Sequence, residues 1–291
     1  MKTSLKLSAY GAALAALVAG MYLVGTAAGP MSDSSSPVST AGHVDDGHGA
    51  AGSAPAAHEP GGLASTRDGY TLVPETTTIG TTTVGSGTFA FRITGPGDDP
   101  VTAFDVVHER QLHFIVVRRD GTDFQHVHPE MDASGTWRVP LTVPAAGVYR
   151  AFADFTPTGG PATTLGVDLF APGDFRPTAH APSRSAVVDG YTVTLDGDLR
   201  AGALSPLTLA VGRDGAPVVV QPYLGSYGHL VALRDGDLAY LHVHPRTDGA
   251  PGSAVRFDAE VPSTGTYRLF FDFQVDGVVR TAELTVDVGG H

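Results

Sequence analysis

The sequence predicts an all-β protein with two tandem domains, and three observations support this fold class. Beyond the N-terminus, apolar residues fall in short runs rich in Val, Thr, Phe and Tyr, separated by Gly, Pro and Asp. No segment there has the 3.6-residue period of an amphipathic helix. An internal repeat of about 100 residues holds seven or eight such runs per copy. That number of strands is typical of an immunoglobulin-like β-sandwich.

The repeat sets the domain boundaries. Asp68-Gly-Tyr-Thr recurs as Asp189-Gly-Tyr-Thr, and a Gly-x-Tyr-Arg segment at Gly147 recurs at Gly265. The Gly-x-Tyr-Arg pattern is typical of a tyrosine corner, in which a tyrosine hydroxyl bonds to the backbone just before a central strand. We predict a first immunoglobulin-like sandwich over 67–171, a stiff proline-containing linker over 172–187 and a second sandwich over 188–291.

The N-terminus predicts export. Lys2 and Lys6 precede an apolar segment over residues 9–28, which is about the length that spans a bilayer. Residues 1–29 are therefore predicted to be either an uncleaved signal anchor or a cleaved signal peptide. The protein would be a single-pass protein of the cell membrane with its C-terminal part outside, or it would be secreted. Residues 30–66, rich in Ser, Ala, Gly, Pro and His, are predicted to form a disordered tether.

Composition excludes several functional classes. The chain has no cysteine, so it has neither disulfides nor thiolate metal sites. Lys2 and Lys6 are the only lysines, which leaves 16 Arg against 30 acidic residues in the rest of the chain. Such an acidic surface repels phosphates, which argues against nucleic acid as a partner and against membrane contact other than through the N-terminal segment.

The most informative motif is a hairpin that carries three histidines and occurs twice. His113 stands thirteen residues before His126-Val-His128-Pro, and His229 stands thirteen residues before His242-Val-His244-Pro. An Asp-Gly pair lies between the histidines in both copies, and this pair between strand-like runs is a strong hairpin signal.

Strand alternation predicts that the three histidines of each hairpin share a face. A two-residue turn at Asp120-Gly121 would place His113 opposite His128, with His126 on the same side. A two-residue turn at Asp235-Gly236 would pair His229 with His242 instead. The two turns differ by one residue in register, so at most one of them is expected to be placed correctly. Opposed side chains on one sheet face lie close enough for three imidazoles to reach one ion.

The first domain offers further metal ligands. His108 lies just before the hairpin, and Glu130 and Met131 follow it. Imidazoles with a thioether suit copper, whereas three imidazoles and a water suit zinc. The second domain has no counterpart to His108, Glu130 or Met131, so we expect the first site to be the stronger one. Asp154 and Asp272 are predicted to be structural partners of Arg or His.

Several motifs resemble those of a group of exported bacterial proteins. These motifs are His-Glu-x-x-Leu-His at 108–113, Phe-Gln-His-Val-His-Pro-Glu at 124–130 and Leu-His-Val-His-Pro at 241–245. The chain resembles actinobacterial two-domain proteins of unknown function, some of them labelled heavy-metal-binding, with YtkA-like and CopC-like β-sandwiches as wider relatives. The resemblance covers about residues 68–288 and implies an exported β-sandwich, with copper as the favoured metal. CopC-type proteins also bind copper through their mature N-terminus, where this chain has the predicted tether.

Two functions follow as alternatives. The first is an extracytoplasmic protein that binds copper, or else zinc, through nine candidate ligands for buffering or delivery: His108, His113, His126, His128, Glu130, Met131, His229, His242 and His244. The second is a structural or protein-interaction module of the cell envelope with buried structural histidines and another envelope protein as its partner. The sequence lacks the Gly-x-Ser-x-Gly, Walker, His-Glu-x-x-His and dinucleotide motifs, so we do not expect an enzyme.

Overall fold

The computed structural model describes residues 60–80, 85–246 and 251–289, with side chains except at positions 85, 86 and 242. The predicted signal segment and most of the predicted tether lie outside these residues. Every regular element in the described ranges is a β-strand, which confirms the all-β class. Within the same ranges there is no helix of the length and apolarity needed to cross a membrane. Both domains belong to one compact unit, Pro55–His291.

The first domain consists of nine strands in two sheets. They are β1 (Thr66–Arg67), β2 (Tyr70–Pro74), β3 (Gly85–Thr94), β4 (Leu112–Arg118), β5 (Gln125–Val127), β6 (Glu130–Met131), β7 (Thr136–Val143), β8 (Gly147–Phe155) and β9 (Thr163–Ala171). One sheet has the order β1-β2-β3-β7-β6 and the other has the order β5-β4-β8-β9. Apart from β1, this is the A-B-E-D and C′-C-F-G arrangement of an immunoglobulin sandwich.

The second domain repeats this topology. Its strands are β10 (Ser185–Val188), β11 (Tyr191–Asp196), β12 (Leu204–Arg213), β13 (Ala216–Pro217), β14 (His229–Arg234), β15 (Tyr240–Pro245), β16 (Ala254–Glu260), β17 (Gly265–Val275) and β18 (Val278–Val288). Eight of them follow the order β10-β11-β12-β16-β15-β14-β17-β18, and β13 pairs with the end of β12 off this path. Strand β15 joins the two sheets, because its start pairs with β14 and its end pairs with β16.

The His-x-His-Pro segment lies where the chain crosses between sheets. In the first domain, β5 pairs with β4 and β6 pairs with β7, and His128-Pro129 separates the two short strands. Proline has no N–H for a ladder bond, so it favours an end to pairing at this point. The histidines therefore stand at an edge of the sandwich, beside a break in the hydrogen-bonded ladder.

Both predicted tyrosine corners are present. The Tyr149 hydroxyl donates to Ala145 O at 2.8 Å, and the Tyr267 hydroxyl donates to Ser263 O at 2.9 Å. Each tyrosine is fully buried at the start of a central strand, β8 or β17. These bonds satisfy a hydroxyl that burial would otherwise leave unpaired, which is costly in a protein interior.

A third apolar cluster joins the two domains in addition to the core of each sandwich. Strand β4 is buried at every residue, because Phe114 and Val116 face the first sandwich core while Ile115 and Val117 face the second domain. The cluster consists of Ile115, Val117, Phe152, Val231, Leu233, Leu238 and Phe270, with Phe124 and Tyr240 packed against it. The domains thus dock through the outer faces of corresponding sheets.

The docked faces are related by the repeat. Phe124 stacks on Phe270 with ring centroids 4.1 Å apart and planes at 5°, and Tyr240 packs on Phe152 at 5.6 Å. Each pair joins one domain's hairpin to the other domain's central strand, and the repeat offsets convert one pair into the other. The interface is therefore pseudo-twofold, as between the subunits of a symmetric dimer.

Some predicted boundaries are wrong. The short apolar runs at 102–107 and 217–221 predict two further strands, but these segments form only isolated bridges and the two-residue β13. The neighbouring edges are already occupied, since β4 lies between β5 and β8 and β12 lies between β11 and β16. The predicted linker over 172–187 ends instead in strand β10, which pairs with β11.

The end of the predicted tether is ordered. Gly62 N donates to Thr164 O, Arg150 donates to Gly62 O and Leu63 O, and Tyr240 N donates to Gly61 O. Residues 60–66 therefore run across both domains, and the predicted disorder is wrong for them. Gly62 has φ 72°, and a β-carbon there would approach the Phe152 ring to 2.4 Å, so glycine is required at this crossing.

Candidate metal centre

The first hairpin has the predicted register with a different turn. Ile115 lies opposite His126, and this register places His113 opposite His128. Arg118 N donates to Thr122 O, so the turn is not the predicted two-residue turn. One extra residue is accommodated at Asp123, which has φ 56°, and this bulge restores the register.

The second hairpin has a different register from the predicted one. Leu233 lies opposite Tyr240, and Arg234 N donates to Ala239 O, so the loop spans residues 235–238 rather than Asp235-Gly236 alone. This register places His229 opposite His244 instead of His242. The shift is two residues, so the parity of the strand, and with it the predicted shared face, is unchanged.

Three histidines of the first domain form a compact cluster. His113 Nδ1 lies 3.1 Å from His126 Nε2 and 3.3 Å from His128 Nε2. The three nitrogens all lie within 4.8 Å of one another. Among the described residues, this is the one group of three or more His, Asp or Glu with that spacing. We call His113, His126 and His128 the histidine trio.

Hydrogen bonds on the outer side of the rings determine which nitrogens carry protons. His113 Nε2 donates to the backbone oxygen of Val107 at 3.0 Å, and a carbonyl oxygen can only accept. His126 Nδ1 donates to the carboxylate of Asp272 at 2.8 Å, which also can only accept. When both rings are neutral, His113 Nδ1 and His126 Nε2 therefore present lone pairs to each other.

Two lone pairs at this distance repel each other, and a proton or a metal ion between them would remove the repulsion. Nitrogens bound to one metal at about 2.0–2.1 Å are about 2.9 Å apart at a right angle and about 3.4 Å apart at the tetrahedral angle. The observed separations of 3.1 and 3.3 Å fall in that range. Hydrogen bonds from a carboxylate or a carbonyl to the outer ring nitrogen are also the usual support of metal-bound histidines.

A proton can satisfy the same lone pairs. If His126 is charged, its Nε2 donates to His113 Nδ1, and the cluster is a hydrogen-bonded chain from Asp272 through His126 to His113. The two arrangements share one geometry and differ only in whether a proton or a metal ion lies between the rings. This is the physical basis of the two alternatives that the sequence left open.

Burial keeps most of the cluster uncharged at neutral pH. Desolvation, together with the neighbouring imidazoles, His126 first, lowers the pKa of His113 and of His128 to about 3. His113 is 8 % exposed. Neutral imidazole is the form that binds metal, so these nitrogens are available as ligands at physiological pH.

The carboxylate beside the trio is itself buried. Asp272 is 3 % exposed, and its second oxygen accepts from the Thr281 hydroxyl at 2.6 Å. Among the described residues, His126 is the basic group that pairs with it. A nearby cation stabilises a buried carboxylate, and here it would be protonated His126 or a metal ion bound to the other nitrogen of that ring.

Two further histidines surround the trio. The His229 ring lies 6.0 Å from His126 and 6.3 Å from His113, and His229 Nε2 bonds to Tyr223 O at 2.9 Å. This repeats the bond between His113 and Val107 in the first domain. Desolvation lowers the pKa of His229 to about 4. The His108 ring lies 5.3 Å from His229, and desolvation lowers the pKa of His108 as well.

His108 is held over the cluster by a tight turn with unfavourable backbone angles. Val107 and Arg110 exchange both backbone bonds, and the two residues between them, His108 and Glu109, have φ values of 47° and 61°. The corresponding positions in the second domain are Leu224 and Gly225, within an equivalent turn. A non-glycine residue in this region is disfavoured, so two in a row indicate a constrained turn.

The remaining predicted ligands lie outside the trio. Glu130 is exposed in β6 opposite Arg138, and Met131 packs against the first hydrophobic core. Neither residue therefore completes the predicted copper set in the described arrangement. His244 is exposed in β15. The side chain of His242 is not among those described, so the predicted second site is known only at His229 and His244.

Comparison with known proteins identifies the domains but not a function. Both domains match one family model, described as a domain of unknown function (DUF8832), over residues 65–169 and 186–290. No curated protein matches the chain.

Solved structures resemble the chain only weakly. A DUF4426 family protein from Pseudomonas aeruginosa is 12% identical, with 36% of this chain and 96% of that chain covered and a TM-score of 0.26. InvD from Yersinia pseudotuberculosis is 16% identical, with 76% and 58% covered and a TM-score of 0.24. The Ig1-2 module of a Drosophila receptor tyrosine phosphatase is 12% identical, with 76% and 99% covered and a TM-score of 0.21. Similarity at this level does not indicate a function for the chain.

Proposed function

The chain belongs to the DUF8832 family, whose description assigns no activity, and we propose from the site alone that it binds one divalent transition-metal ion at the histidine trio. The observation that carries the proposal is the 3.1 Å separation of His113 Nδ1 and His126 Nε2, whose outer hydrogen bonds leave lone pairs facing inward, with His128 Nε2 lying 3.3 Å from His113 Nδ1. Three imidazoles with a carboxylate and a carbonyl behind two of them form a familiar metal-binding arrangement.

Copper(II) and zinc are the two candidate ions. Imidazole nitrogen suits both, and at a given set of nitrogen ligands copper(II) binds more tightly than zinc. Met131 packs against the core, so copper is favoured by the imidazoles and by the resemblance of the motifs to those of exported copper-handling proteins. With the predicted export segment, the proposed role is buffering or delivery of the ion outside the cytoplasm.

Titration of the full chain in detergent with Cu(II) and Zn(II) tests the proposal. We expect one site with a Kd below about 10 μM, and we expect His126→Ala to weaken it at least tenfold. His180→Ala is the matched control. His180 lies in the predicted linker, and its ring bonds to Asp120 O at the turn of the first hairpin rather than to the trio. Alanine at His43, His48 and His58 of the predicted tether removes competing histidines and should leave this site unchanged.

The alternative is a structural role, supported by the hydrogen-bonded chain from Asp272 through His126 to His113. In that case His126→Ala lowers the thermal midpoint equally with and without metal, and no site below about 10 μM appears. A metal-dependent difference in that loss supports the metal site, since an ion that binds only the folded state stabilises it.

A further inference from the structure

The carboxylate behind the trio belongs to the other domain. Asp272 lies in β17 of the second domain, opposite His229, whereas His126 lies in β5 of the first domain. Their bond is 2.8 Å long, and both side chains are nearly buried, 6 % exposed for His126 and 4 % for Asp272. The first domain alone therefore lacks the group that orients one of its three candidate ligands.

Asp272 is held rigidly for this role. Thr281 donates to one carboxylate oxygen at 2.6 Å, and the other oxygen accepts from His126. The carboxylate thus fixes His126 with the proton on Nδ1 and the lone pair of Nε2 facing His113. A second-shell carboxylate of this kind also makes the imidazole a stronger donor to a metal ion.

The carboxylate reaches His126 only because the domains are docked. Phe124, two residues before His126, stacks on Phe270, two residues before Asp272. Arg268 of the second domain donates to Gly121 O, and Arg119 of the first domain donates to Asp237 O. Separation of these faces would remove Asp272 from the trio and expose the apolar cluster between the domains.

We propose that Asp272 is a positioning residue that couples metal binding in the first domain to docking of the second. The inference rests on the proposed function, because it assumes that the ion binds at the trio. Coupling between two equilibria is reciprocal, so metal strengthens docking by the same factor by which docking strengthens metal binding. The ion therefore acts as a link between the two domains, and a partner that separates them would release it.

The test compares two substitutions in the full chain. Asp272→Asn keeps the shape of the side chain and removes its charge, and we expect a 10–100-fold weaker Kd for Cu(II) or Zn(II). Asp287→Asn makes the same change elsewhere in the second domain, where the exposed Asp287 accepts from the Thr266 hydroxyl six residues along β17 from Asp272. We expect it to change the Kd less than threefold.

Two further measurements separate positioning from a general structural effect. Nitrogen NMR of the metal-free chain should show a proton on His126 Nδ1 in the wild type, whether or not Nε2 also carries one, and a partial loss of that proton in Asp272→Asn. Phe270→Leu loosens docking without changing a ligand, and it should also weaken metal binding, which a higher Kd would show. If Asp272→Asn does not fold, Thr281→Val, which releases one carboxylate oxygen, should change the Kd and the NMR signal in the same direction.

The outcomes distinguish the two proposals. A wild-type Kd that Asp272→Asn and Phe270→Leu leave unchanged would overturn the coupling and leave the metal site standing. Absence of a site below about 10 μM in the wild type would overturn the metal site and the coupling with it. A higher Kd for Asp272→Asn, with no change for Asp287→Asn and a loss of the proton on His126 Nδ1, supports the coupling.

Discussion

Acidification should destabilise the metal-free protein through His229. This ring is 8 % exposed, and desolvation lowers its pKa to about 4 from an ordinary value of 6.5. Below pH 6.5 the unfolded chain takes up a proton that folded His229 does not, so stability falls as the pH falls towards 4. At pH 7.5 neither state is appreciably protonated, and the contribution is absent.

The size of the loss follows from the two pKa values. Between pH 7.5 and pH 5, a histidine with pKa 6.5 unfolded and about 4 folded costs about 2 kcal/mol of unfolding free energy. In His229→Gln this part of the loss should disappear, because glutamine does not titrate and its amide can still donate to Tyr223 O. The loss that arises from His113, whose pKa is lowered to about 3, should remain.

Urea unfolding in the presence of a chelator measures the loss of unfolding free energy that His229 causes on acidification. Wild type and His229→Gln are unfolded at several pH values from 7.5 to 5, and the difference in unfolding free energy between them is plotted against pH. This difference should shift by about 2 kcal/mol over that range. Parallel profiles for wild type and His229→Gln would refute it.

Three other substitutions test separate parts of the fold. Phe270→Ala removes the ring that stacks on Phe124 between the domains, and we expect a loss of about 3–5 kcal/mol in urea unfolding. Glu109→Gly gives the first-domain turn the residue that the second domain has at Gly225, and we expect it to stabilise the protein by about 0.5–1 kcal/mol, whereas Glu109→Ala should not. Tyr149→Phe removes the bonds of the hydroxyl to Ala145 O and to the Asp123 carboxylate at a cost of about 1–3 kcal/mol, measured by the same unfolding assay, and an unchanged midpoint would contradict a stabilising role of these bonds.

Local patterns in the sequence predict much of the trio. Strand alternation and the spacing of His113, His126 and His128 predict their shared face, because side-chain direction depends only on parity along a strand. Turn length is less predictable. The bulge at Asp123 depends on a non-glycine residue with positive φ, for which the sequence gives only a weak signal. In the second hairpin the predicted register is wrong by two residues. Because two is an even number, the predicted sheet face is unchanged, whereas the residue opposite His229 is His244 instead of His242.

The contacts between domains could not be predicted from local patterns. Asp272 was expected to be a structural partner of Arg or His, but nothing in the sequence indicates that its histidine lies in the other domain. The sequence of one strand does, however, indicate that a second layer covers it. Strand β4 is continuously apolar from Phe114 to Val117, whereas a strand with one solvent face alternates. Such a run indicates burial on both faces, and therefore a second layer against the sheet.

Duplication explains why the histidines of both domains meet at one junction. In each copy the histidines share a sheet face with residues such as Ile115 or Val231, which need cover from a second layer. A pseudo-twofold interface covers both apolar patches at once, because each copy supplies the surface that the other requires. The same operation brings the histidine-bearing face of one domain against that of the other. A buried carboxylate such as Asp272 can then serve the opposite domain, so the apolar packing between the domains also assembles the polar site.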